Sequence, residues 1–115
     1  MKKKNTSPLE TKEQVALVRR LRKEKIPFYG VPNGANVEPH ERFKLIAEGM
    51  ETGVSDLVIL KHKAHLYLEM KRRVGGTQSK GQKDFEELVT GLGFEYKIAR
   101  GAKEAWAIIQ EFIAT

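Results

Sequence analysis

Two β-forming runs, residues 54–60 and 65–71, constrain this chain more than any other feature. Only Lys61-His62-Lys63-Ala64 separates them. Both runs are rich in apolar β-formers, Val54, Val58 and Ile59 in the first and Leu66, Tyr67 and Leu68 in the second, which suit a pleated, half-buried surface. So short a connection permits an antiparallel hairpin, whereas a parallel pair needs a long crossover. With the turn centred between His62 and Lys63, Val58 faces Tyr67 and Leu60 faces His65. Asp56 then falls directly opposite Glu69. Two carboxylates in that relation stand about 5 Å apart at Cβ and repel. Lys71 lies two residues beyond Glu69 and so emerges on the same face. A one-residue slip of the register would send Asp56 to the opposite face and dissolve the grouping.

An acid, an acid and a lysine on one face are the equipment for hydrolysing a phosphodiester. Mg²⁺ or Mn²⁺ takes oxygen ligands from one or two carboxylates, from water and from phosphate, and relieves the repulsion. Such an ion polarises a phosphate and acidifies a bound water. A lysine beside it can orient that water or stabilise developing charge. The expected ligands are Asp56, Glu69 and the backbone carbonyl of Met70, completed by water and the phosphate. A plainer reading makes the three residues a solvated face with a salt bridge. Against it stand the apolar Leu66-Tyr67-Leu68 before the acid and the loop from Gly49 to Gly53 before Asp56. A charge at the end of a buried strand needs a partner.

The remaining chain supplies layers around this hairpin. Ser7-Pro8-Leu9-Glu10 has an N-cap, a proline at the first helical position and an acid at the third. The helix it opens extends to about residue 24, with Leu17, Val18 and Leu21 inward and Glu10 and Gln14 continuing their stripe. Residues 26–32 read as a short strand whose prolines suit a sheet edge, and Asn33-Gly34 as a turn. A short helix from Pro39 to about residue 47 presents Phe43, Leu45 and Ile46. After the Val74-Gly75-Gly76-Thr77 loop, a helix from about Lys80 buries Phe85, Leu88, Val89 and Leu92. Residues 94–99 form a strand, and 102–113 a helix with Ala105, Trp106, Ile109, Phe112 and Ile113 inward. The order helix, strand, short helix, strand, strand, helix, strand, helix predicts an α/β fold, a mixed sheet flanked by helices.

At 115 residues the chain predicts one domain, with residues 1–6 a flexible basic start. So short a chain leaves apolar surface near water, and dimerisation is expected. The net charge of +6 favours a polyanionic partner, nucleic acid first. The absence of cysteine excludes a disulfide framework and thiolate metal sites. No apolar run approaches the roughly 20 residues of a membrane helix, and Lys2-Lys3-Lys4 precedes no apolar signal region, so a cytoplasmic location is expected. His40, His62 and His65 match no zinc spacing and read as surface residues. Lys61, Lys63, Arg72, Arg73, Lys80, Lys83 and Arg100 are candidates for phosphate contacts. Of these Arg72 and Arg73 are best placed, directly after the acid–x–lysine strand. Trp106 reads as core rather than a base-stacking platform.

Gly53-Val54-Ser55-Asp56-Leu57, then Leu68-Glu69-Met70-Lys71, then Ser79-Lys80-Gly81-Gln82 together resemble the VRR-NUC (virus-type replication-repair nuclease) family of the PD-(D/E)XK nucleases. The resemblance covers residues 10–99 or so. It extends to Pro32-Asn33-Gly34 and to the glycines before the acid. It implies a restriction-endonuclease-like sheet and catalytic roles for Asp56, Glu69 and Lys71, with Gln82 and a first-helix glutamate in support. Glu10 and Glu13 both lie near the glutamate's expected place. Glu10 is preferred because it shares a face with Gln14, Leu17 and Leu21, although capping with Ser7 would equally explain it. Gln82 could instead serve nearby backbone. The family's usual proline before the first acid is Ser55 here, a change of backbone shape rather than of chemistry. By this resemblance the chain is a metal-dependent, Holliday-junction-resolvase-like endodeoxyribonuclease, of phage or bacterial type, acting on branched DNA as a homodimer. The rival is a basic DNA-binding module without catalysis, which would gain nothing from carboxylates near phosphate.

Overall fold

The computed structural model describes residues 8–31, 38–51 and 53–115. The proposed cap Ser7, the basic start and the Pro32-Asn33-Gly34 turn lie outside the described residues. In chain order the elements are α1 (Pro8–Lys23), β1 (Phe28–Gly30), α2 (Pro39–Ala47), β2 (Leu57–Lys61), β3 (Ala64–Lys71), α3 (Lys80–Gly91), β4 (Glu95–Arg100) and α4 (Ala102–Ala114). The strands form one mixed sheet in the order β1-β2-β3-β4. β1 and β2, and β2 and β3, run antiparallel, while β3 and β4 run parallel. The parallel pair follows from α3, which carries the chain back between them. The edge position of β1 suits Pro27, whose carbonyl still accepts from Leu60 N at 3.0 Å.

The hairpin register is the one the turn dictates, with Leu57 opposite Leu68, Val58 opposite Tyr67 and Leu60 opposite His65. Period-2 alternation then sorts the sheet faces. Leu66, Leu68 and Met70 point with Leu57 and Ile59 toward α1 and α4. There they pack in one cluster with Leu17, Leu21, Ala105, Ile109 and Phe112. The odd-numbered residues of β3 face α3, where the Tyr67 ring meets Phe85 edge-on at 5.2 Å. The acid–x–lysine end of β3 therefore stands on an apolar platform two layers deep.

Several apolar side chains lie elsewhere than their spacing predicted. α2 forms where expected but buries none of its residues, and Phe43 is 75% exposed. It lies outside the helix–sheet–helix layers, so its apolar side meets no core. On α3 only Val89 is buried, while Leu88 and Leu92 are exposed. The sheet takes the stripe through Gln82, Phe85 and Val89, and Leu88 falls about 100° round the helix from it. Ile113, in the last turn of α4, is also exposed. β2 begins at Leu57 rather than Val54, which leaves Asp56 one residue ahead of the strand. Trp106 packs against the core as expected. His65 is half-buried between Tyr67 and Phe94, with ring centroids 4.9 and 5.0 Å away, and is not a surface residue. Its place within β3, under the chain entering β4, accounts for that.

Candidate active site

Asp56, Glu69, Lys71, Gln82 and Glu10 converge at the C-terminal end of β3. Asp56 is fixed by its own strand partner: its Oδ2 accepts the Met70 backbone N–H at 2.7 Å. Backbone groups of successive strand residues point to opposite neighbours. Lys71 O accepts from Gly101 N on the β4 side, so the Met70 carbonyl points the other way, toward Asp56. Two carboxylates and that carbonyl thus share one side of the strand end, as the register required.

Glu69 is 1% exposed. Its Oε2 accepts from Gln82 Nε2 at 2.8 Å and lies 3.6 Å from Lys71 Nζ. As a carboxylate its Oε1 is buried with no donor, whereas the protonated group hydrogen-bonds the Asp56 carboxylate. Burial raises its pKa to about 8, with the neighbouring Asp56 charge adding to the rise and Lys71 opposing it. Burial also raises Asp56, against the Met70 N–H that favours its charged form. Glu10 is raised by burial and then by Asp56, and it feels Lys71 and Arg72 as well. Of the two first-helix glutamates, Glu10 is the one within electrostatic reach of Asp56 and Lys71. Glu13 turns away: its Oε1 accepts from Ala102 N at 2.6 Å and its Oε2 pairs with Arg73 at 2.8 Å. The Ala102 N–H, ahead of Arg73, holds its carboxyl below the usual range.

Gln82 both bonds nearby backbone and reaches Glu69 and Lys71. Its Oε1 accepts from Ser79 N at 2.9 Å and from Lys71 Nζ at 2.9 Å. Ser79 Oγ in turn accepts from Gln82 N at 3.2 Å, which completes a capping box at the start of α3. One amide thus ties the helix terminus to both Glu69 and Lys71. The Ser-x-x-Gln spacing was the available signal for that cap. A second tie joins the loop before β2 to α3. Gly53 has φ +82°, and a Cβ there would lie 2.4 Å from the Gly81 carbonyl carbon and oxygen. Only glycine permits that backbone-to-backbone approach.

The basic candidates divide. The Arg72 side chain lies along Gly75 and Gly76. Arg73 pairs with Glu13 and Lys80 with Asp84, both on exposed surface, and Lys83 is exposed. Arg100 is structural: its guanidinium donates to the carbonyls of Arg72, Gly75 and Gly76, bracing the loop that leaves the site. Lys61 caps the end of α4 by donating to Phe112 O at 2.7 Å. Lys63 sits in the hairpin turn, at the opposite end of β3 from Lys71.

Among the described residues no group of three His, Cys, Asp or Glu side chains is arranged to hold a metal on its own. Two carboxylates plus a carbonyl fit a hard divalent ion that keeps several waters. The buried Glu69 Oε1, with Asp56 beside it, is the oxygen that such an ion would take.

No family model and no curated protein matches the chain. Among solved structures, a VRR_NUC domain protein superposes with a TM-score of 0.78 at 19% identity, covering 96% of this chain and 92% of that one. The chain has that fold, a mixed sheet between helices.

Proposed function

We propose that this chain is a divalent-metal-dependent endodeoxyribonuclease that cuts branched DNA. The observation that carries the reading is Glu69, a buried acid beside Asp56, tied through Gln82 to Lys71. Asp56, Glu69 and the Met70 carbonyl would hold Mg²⁺ or Mn²⁺, which supplies an acidified water and polarises the phosphate. Lys71, its ammonium donating to Gln82 Oε1 at 2.9 Å, would orient the attacking water or stabilise the developing charge. Gln82 also keeps Glu69 Oε2 engaged, leaving Oε1 for the ion. Glu10, next to Asp56, would orient water on the α1 side. The nuclease-family fold of the VRR_NUC domain protein supports the reaction class. The resemblance favours branched DNA. A homodimer bringing two sites to two symmetric strands belongs to the same proposal.

The test is cleavage of a labelled four-way junction, a flap and a plain duplex, each with EDTA, Mg²⁺ or Mn²⁺, beside Lys71→Ala. Metal-dependent cutting of the junction that Lys71→Ala abolishes is the expected result. DNA bound but uncut with either metal would replace the enzyme with a binding module.

A further inference from the structure

A groove of about 410 Å³ runs between α1 and α4 on the side of the sheet away from α3. Lys12, Ala16 and Arg20 line it from α1, and Lys103 and Trp106 from α4, with Arg73 at its head. Ala16 and Ala102 add small side chains to the lining, and Leu17 is its buried residue. Lys12 and Lys103 are exposed. Arg20 is held in the wall by its guanidinium, which stacks 4.2 Å above the Trp106 ring. The acid among the described lining residues is Glu13, and both its oxygens are already engaged by Ala102 N and Arg73. The groove therefore presents cations without a free carboxylate to oppose an anion.

Its position matters as much as its charge. Glu13 follows Glu10 by about one helical turn on α1, and Arg73 follows Lys71 by two residues, so the head of the groove lies at the same end of β3 as the acid cluster, on the other face of the sheet. From Lys12 to Arg20 the helix rises about 12 Å, long enough to run beside several phosphates at about 3.4 Å per nucleotide. Its described lining is cationic and apolar, which suits contact to backbone rather than sequence.

We propose that the α1–α4 groove carries the phosphate backbone of the substrate DNA beyond the cutting centre, with Lys12, Arg20 and Lys103 on phosphates. This rests on the nucleic-acid part of the proposed function and not on the cutting itself. The test is binding of a fluorescent four-way junction in EDTA, where nothing is cut, across 50–200 mM salt. The proteins compared are the parent, the double variant Lys12→Glu/Lys103→Glu, and Lys63→Glu at the far end of the hairpin. All should melt alike, since each changed side chain is exposed.

Each lost phosphate contact reduces the slope of log K against log salt by about 0.9. The double variant is expected to lose about 2 from the slope and at least tenfold in affinity, while Lys63→Glu keeps the parent's slope. A double variant with the parent's slope, or an equal loss in Lys63→Glu, would overturn the groove. A parent that binds with the expected loss in the double variant but never cuts would leave the groove standing and remove the nuclease. A parent that binds no DNA would overturn both.

Discussion

Gly53 and Gly81 face each other across the seam between the loop before β2 and the first turn of α3, and substitution by alanine should have opposite signs at the two. At Gly53 the new Cβ would lie 2.4 Å from the Gly81 carbonyl carbon and oxygen and 2.9 Å from Gln82 N. These are backbone atoms and cannot rotate aside, so reaching ordinary contact requires the seam to open by about 1 Å. Overpacking of that kind costs about 1–3 kcal/mol, and an alanine at φ +82° adds about 1–2 kcal/mol. Gly53→Ala should therefore lose roughly 2–5 kcal/mol and melt roughly 10–25 °C lower. The displaced first turn carries Gln82 with it, and a 1 Å error there should lower cleavage about 100-fold. At Gly81 the nearest atom to a new Cβ is Gly53 Cα at 3.7 Å. Gly81→Ala should melt at or slightly above the parent, since alanine suits a helix by up to about 0.5–1 kcal/mol. Gly49→Ala separates strain from clash, because its φ is +114° but nothing lies within 4 Å. Thermal melting of the three variants decides the matter. A Gly53→Ala protein that melts with the parent would refute the tight seam, and one that melts with Gly49→Ala would refute the clash.

Gln82→Ala removes the donor to Glu69 and the acceptor for Lys71, so single-turnover cleavage should fall about 10–100-fold with the fold intact by circular dichroism. Glu13→Ala removes the acceptor at the start of α4 and the partner of Arg73, and should cost about 1–2 kcal/mol in urea denaturation. In EDTA, stability should fall as pH rises. Glu69 keeps its proton up to about pH 8 when folded and loses it near 4.5 when unfolded. The native state then binds more protons across that window, and stability is greatest below it. Melting temperatures in EDTA at pH 5 and 8.5 test the sign, and saturating Mn²⁺ should reduce the difference.

What the sequence revealed and what it hid have separate physical origins. The register of β2 on β3 was legible because a short turn and period-2 alternation leave one solution that buries Leu57, Ile59, Leu66 and Leu68 together. The placing of Asp56 beside Glu69 and Lys71 followed from that register alone. Glu10 lies on the Leu17–Leu21 stripe and Glu13 about 60° round α1 from it, which favoured Glu10 without excluding Glu13, since capping with Ser7 equally explained Glu10. Which one meets Asp56 depends on how α1 rolls against α4. The exposure of Phe43, Leu88 and Leu92 was hidden because helical spacing reports a face but not whether anything packs on it. The Gly53–Gly81 seam and the Arg100 brace join residues far apart in the chain, and no local pattern encodes such contacts.

The central claim is that Asp56 and Glu69 form a divalent-metal site. Calorimetric titration of Mn²⁺ into the parent, Asp56→Asn and Glu69→Gln proteins tests it without any assumption about substrate. One site in the parent, weakened at least tenfold by either substitution while the fold holds, is the predicted result. No binding by the parent, or equal binding by all three, would contradict the account.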